Sequence, residues 1–177
     1  AVDEVYTGFG RTGKLFAVEH ENITPDLMIM AKSIAAGLPL SAVVGKKEIM
    51  DEWPPGAHGS TFGGCPVSCA AAIEVLNIIE KEKLVEKAAE TGAFLLKSLK
   101  DMQKEISIIG DVRGKGMLIG IELVQPSGNK VPAGDETKKV LMDAFKQGLL
   151  LAACGLYGNV IRVSPPLGLT KTEALKG

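Results

Sequence analysis

The chain has 177 residues, 46% hydrophobic and 23% charged, which is ample material for a buried core and too little charge for a disordered chain. Twenty basic residues against 21 acidic ones leave a net charge of −1, which argues against a general nucleic-acid binder and a polybasic membrane binder. No run reaches the ~18 apolar residues of a membrane span, and the first residues lack the basic and apolar regions of a signal peptide. Cys65, Cys69 and Cys154 therefore read as free thiols of a reducing, cytoplasmic compartment. With only His20 and His58 to join them, they complete no metal-ligand spacing.

In chain order, Ala1–Val5 reads as a strand end carrying the acidic pair Asp3-Glu4. Gly8, Gly10 and Gly13 follow in a turn that needs positive φ or close backbone approach. The apolar run Leu27–Ala31 predicts a strand buried on both faces, and Leu40–Val44 is a second such run. Trp53–Gly56 is a loop, and His58–Pro66 is small, polar and glycine-rich. From Val67 to about Ile79 the spacing of Cys69, Ile73, Leu76 and Ile79 predicts a helix. Lys81–Lys104 predicts an amphipathic helix with Leu84, Ala88, Leu95, Leu99 and Met102 inward, although Gly92 costs it about 1 kcal/mol relative to Ala.

Ile106–Ile109 and Met117–Val124 read as strands around the turn Gly114-Lys115-Gly116, and Pro126–Gly134 as a loop. Asp135 to about Gln147 predicts a helix ended by Gly148. Leu149–Ala153 and Val160–Val163 read as further strands. No internal repeat is present. Buried strands alternating with helices indicate an α/β first part, and helices against short antiparallel strands a second. The division falls near residues 80–86, giving domains 1–83 and 84–177.

Four features could carry chemistry. Lys32 lies in the apolar stretch Met28–Gly37, where an unpaired ammonium is costly to bury. It is either an activated amine or Schiff-base former, or a lysine whose stem lies on apolar surface with its head in water. Asp3 ends an apolar strand. It is either an exposed strand-end acid or a carboxylate for a cationic ring nitrogen. Arg162, in the apolar strand Val160–Val163, suits bidentate capture of a carboxylate or a structural ion pair. Arg11 and Arg113 sit in glycine turns. The stretch Ser60–Gly64 offers hydroxyls and open amides that can hold a phosphate.

Taken together, these segments resemble the class III (subgroup II) aminotransferases, pyridoxal-phosphate enzymes of fold type I. Asp3-Glu4-Val5-Tyr6-Thr7-Gly8-Phe9-Gly10-Arg11-Thr12-Gly13 resembles the family's acidic segment. Pro25–Met28 with Ala31-Lys32-Ser33 and Gly37-Leu38-Pro39 resembles its lysine segment, and Gly59–Gly64 with Pro66 its phosphate loop. The resemblance implies an incomplete large domain followed by an α+β small domain. It implies that Lys32 carries pyridoxal 5'-phosphate as an aldimine and shuttles a proton. Asp3 would hold the ring nitrogen protonated, and Val5 would pack on the ring. Thr61 would bind the phosphate of the neighbouring subunit's cofactor in a homodimer, and Arg162 would bind the substrate α-carboxylate.

Gly148–Leu151 and Tyr157–Arg162 are similar to the members that act on 4-aminobutyrate with 2-oxoglutarate. Ornithine and acetylornithine aminotransferases share the catalytic residues. Tyr6 stands where the family usually has a Gln on the cofactor's phenolic oxygen, and Cys65 where it has Asn. Family members are more than twice as long, so the chain reads as a C-terminal fragment holding the lysine side of the site. By itself it is expected to be inactive, retaining fold and dimer surface.

Overall fold

In the computed structural model the chain forms two compact units, Ala1–Glu86 and Lys87–Gly177. The structure describes residues 1–127 and 129–177; the loop reading over Pro126–Gly134 includes Gly128, which lies outside the described residues. Among the described residues no helix is long and apolar enough to cross a membrane.

The first unit is built on a small mixed sheet, β1 (Val2–Asp3), β2 (Leu27–Met30) and β3 (Ala42–Gly45), in the order β1-β2-β3. β1 runs parallel to β2 with Asp3 opposite Ile29, and β3 runs antiparallel to β2 with Ala42 opposite Met30. Side chains alternate across a sheet, so register decides which face each one joins. Met28, Met30 and Ala42 join a core with Phe9, Ile34, Ala35, Ala72 and Ile79. Asp3, Ile29 and Val43 share the opposite face, where Ile29 and Val43 are 40% and 42% exposed. The expectation of a strand buried on both faces is thus corrected: among the described residues only one face of β2 is covered.

After a short helix, α1 (Lys47–Met50), the helix α2 (Pro66–Lys81) begins with proline at its first turn. There the missing N–H costs nothing, because first-turn amides have no helical partner. The helix is where periodicity puts it, but its buried stripe differs. Ser68, Ala72 and Ile79 are buried and Val75 packs on the core, while Ile73 and Leu76 are exposed. The helix is apolar on more than one side, so spacing could not choose the inward face.

Helix α3 (Leu84–Glu105) starts in the first unit and runs on as the first helix of the second. The sheet of the second unit has the order β4-β5-β7-β6, antiparallel throughout: β4 (Ile109–Lys115), β5 (Leu118–Leu123), β6 (Ala152–Cys154) and β7 (Val160–Val163). Helix α4 (Gly134–Lys146) packs on β5, β6 and β7, and a last short helix, α5 (Lys171–Lys176), is capped by Thr170. Leu123, Ala133 and Ile161 form the core, flanked by Ile121, Leu141 and Leu151. Asn159 is buried and donates from Nδ2 to the Leu123 carbonyl at 2.9 Å.

Two strand expectations shift here. The strand expected at Ile106–Ile109 instead runs Ile109–Lys115 and takes in Gly114 and Lys115, because the ladder with β5 continues to Lys115 opposite Leu118. The strand expected at Leu149–Ala153 begins only at Ala152. Arg113 therefore lies in a strand and not in a turn. It pairs there with Asp111 and with Glu122, at 2.7 and 2.6 Å.

Gly92 in α3 has a positive reason to be glycine. A Cβ there would lie 2.2 Å from the backbone of Gly116. Gly92→Ala is accordingly expected to destabilise the protein by about 1–3 kcal/mol, despite alanine's better helix propensity. Urea denaturation that gave equal or greater stability for the variant would refute this close approach.

Candidate active site

The parallel pairing of β1 with β2 brings the C-terminal ends of both strands to one edge of the sheet. Beyond β1 the chain turns through Val5, Tyr6 and Thr7; beyond β2 it enters a 3-10 turn, Lys32–Ala35. The two segments meet: the Lys32 Nζ lies 4.6 Å from the centroid of the Tyr6 ring. That is within the range of a cation–π contact.

Lys32 is exposed and not enclosed, which corrects the reading of a lysine buried in apolar surroundings. The apolar residues around it are consumed by other jobs. Ile34 and Ala35 anchor the turn in the core, and Met28 and Met30 face that core from β2. Lys32 itself has a left-handed backbone, φ 48°. An L-residue disfavours this by roughly 1–2 kcal/mol, and such strain persists only where packing over-determines it. Among the described residues no carboxylate forms an ion pair with Lys32.

Asp3 is likewise exposed, and its Oδ1 accepts the Val5 N–H at 2.9 Å. The buried acid of the pair is Glu4, 2% exposed, which the sequence reading passed over. Its Oε2 accepts from the Thr7 hydroxyl and from the Ala17 N–H at 3.1 Å, and its Oε1 from the Val18 N–H at 2.8 Å. The last two donors open the 3-10 helix Ala17–Glu21, where N–H groups lack helical partners. Gly8 closes the same turn, its N–H donating to the Glu4 carbonyl at 3.0 Å. A Cβ on Gly8 would meet that carbonyl at 2.8 Å. Strand alternation was the available signal: with Asp3 on the open face, its neighbour must face the core.

Val5 and Tyr6 are half-buried in this turn. Burial pushes the Arg11 guanidinium below its usual range, and Tyr6 works in the opposite direction.

Thr61 is exposed in the loop before α2, where the Gly63 N–H donates to the Ser60 carbonyl at 3.2 Å. Cys65 caps α2. The backbone amides of Ser68 and Val67 at the helix start hold its thiol below the ordinary range. Arg162, half-buried in the second unit, stands opposite Gly120 on β5 and Ala152 on β6. Alternation puts it on the other face from Ile161 and the core, the face that also carries Arg113. The structure thus brings together Lys32, Tyr6 and the Asp3 turn. Thr61 stands on its own loop, and Arg162 belongs to the other unit.

Two measurements check this arrangement. Glu4→Ala strands three donors and is expected to cost on the order of 3 kcal/mol, whereas Asp3→Asn, at an exposed site, should stay within about 0.5 kcal/mol; equal losses by urea titration would contradict the assignment of the buried acid. Alkylation of Cys65 followed against pH should show a midpoint below the ordinary thiol value of about 8.5. A midpoint at or above that value would remove the helix-start effect.

A family model described as aminotransferase class-III matches residues 1–177. The chain is 48% identical, over its whole length, to the leucine/methionine racemase of Thermococcus litoralis, of which it covers 40%. It is 45% identical to the 4-aminobutyrate aminotransferase of Mycobacterium leprae, over 99% of the chain and 39% of that protein. A solved Bacillus anthracis aminotransferase superposes with a TM-score of 0.91 at 39% identity, over 98% of this chain and 41% of that one. The chain spans about 40% of the length of the curated relatives it matches.

Proposed function

The chain belongs to the class III aminotransferases, a pyridoxal-phosphate-dependent family, and from that membership we propose that it supplies the lysine side of such an enzyme's active site. The reaction we propose moves the amino group of 4-aminobutyrate, or a similar ω-amino acid, to 2-oxoglutarate in a ping-pong cycle at Lys32. The observation that carries this reading is the meeting of Lys32 with the Asp3–Thr7 turn, beyond the ends of two parallel strands. That is where open α/β sheets bind ligands.

The residues fit the cofactor chemically. Lys32 offers an exposed amine that no carboxylate among the described residues pairs with, as attack on an aldehyde requires. Asp3 offers an exposed carboxylate for a cationic ring nitrogen, and Thr61 an exposed hydroxyl for a phosphate oxygen. Bound pyridoxal phosphate supplies an aldehyde for the amine and a ring that draws electrons from the substrate Cα. Lys32 then takes up and returns the Cα proton as general base and acid. Asp3 keeps the ring nitrogen protonated, and Val5 packs against the ring. The Tyr6 hydroxyl takes the contact to the phenolic oxygen that Gln makes elsewhere in the family. Thr61 serves the site of the neighbouring subunit, so the working form is a homodimer. Arg162 binds the carboxylate of glutamate and 2-oxoglutarate with its planar fork.

A second reading has a specific support, the racemase among the relatives. Racemisation of a hydrophobic amino acid needs the same proton handling at Lys32 without loss of the amino group. An ornithine- or acetylornithine-type donor is a variant of the first reading.

The test uses the whole protein with pyridoxal phosphate. Borohydride reduction should fix the cofactor on Lys32, shown by peptide mass, and Lys32→Ala should abolish the adduct and lower turnover by about 10²–10⁴-fold or more. Glutamate formed from 4-aminobutyrate and 2-oxoglutarate supports transamination. Inversion of leucine without glutamate supports the racemase reading, and absence of an adduct at Lys32 overturns both.

A further inference from the structure

Lys32 is exposed, strained in its backbone and long. A lysine in that position ordinarily samples many rotamers. Instead its Nζ lies over the face of Tyr6, 4.6 Å from the ring centroid. Both partners are held from behind. Ile34 and Ala35 fix the turn that carries Lys32 in the core. The buried Glu4 carboxylate and the Gly8–Glu4 backbone bond fix the turn that carries Tyr6.

We propose that Tyr6 is a positioning residue for Lys32: its aromatic face holds the ammonium of the lysine beyond the ends of the two parallel strands. This rests on the functional reading above and adds to it. There, Tyr6 acts on the cofactor through its hydroxyl; here it acts on the lysine through its ring, and a Gln at the same position could not do so. The clasp limits the rotamers of the free lysine, so less conformational freedom is lost when its amine reacts.

Ring and hydroxyl can be separated by substitution. The whole, cofactor-free protein is reductively methylated with ¹³C-formaldehyde, and the Lys32 methyl resonance is assigned by its loss in Lys32→Arg. The expected result is an upfield ring-current displacement of that resonance, kept in Tyr6→Phe and lost in Tyr6→Leu and Tyr6→Gln. At limiting pyridoxal phosphate, the borohydride-fixed adduct on Lys32 should fall about two- to five-fold in the Leu and Gln variants and recover in Phe. An undisplaced resonance in the wild-type protein overturns the proposal, and so does a Phe variant that behaves like Leu. If Tyr6→Leu does not fold, the comparison of Gln with Phe decides. A displaced resonance with no cofactor adduct in the wild-type protein would uphold the clasp and sink the functional reading.

Discussion

A carboxyl group removed from water is tolerated only when hydrogen bonds replace its hydration, and Glu4 meets that condition with the Thr7 hydroxyl and the amides of Ala17 and Val18. Those donors come from two separate segments. Satisfying them ties the strand end to the 3-10 helix that follows and leaves the turn between them one path. Asp3, Val5 and Tyr6 take their places from that path. The residue with no proposed role in the chemistry thus sets the positions of three that have one.

The lysine side is organised differently. No polar clamp holds Lys32; its backbone strain is offset by the burial of Ile34 and Ala35 immediately after it. Apolar packing anchors the turn, and the side chain is left in the open, as the proposed attack on an aldehyde requires. The parallel register of β1 and β2 joins the two arrangements. Shifting that register by one residue would send Asp3 to the core face and Glu4 to the open one.

Much of this was legible in the residues. The helices at Pro66–Lys81, Leu84–Glu105 and Gly134–Lys146 follow from spacing, and the segments around Asp3, Lys32 and Thr61 carry the family resemblance without any coordinates. What spacing could not show was which side of an element faces inward. Helix α2 is apolar on several sides, so the spacing of Ile73 and Leu76 marks a helix but not its inward face, which is made by Ala72, Val75 and Ile79. The strand β4 lies further along than its apolar run because Gly114-Lys115-Gly116 looks like a turn, whereas pairing with β5 carries the ladder to Lys115.

The sequence by itself determined the family, the cofactor and the identity of the chemical groups, because those depend on residue types in a fixed order. Only the tertiary structure decided which acid is buried, that Lys32 is exposed, and that it lies on a tyrosine ring. Burial and contact depend on register and on neighbours distant in the chain. A tyrosine at position 6 looks like a substitution in a hydrogen-bonding role until the fold sets it 4.6 Å from the ammonium of residue 32.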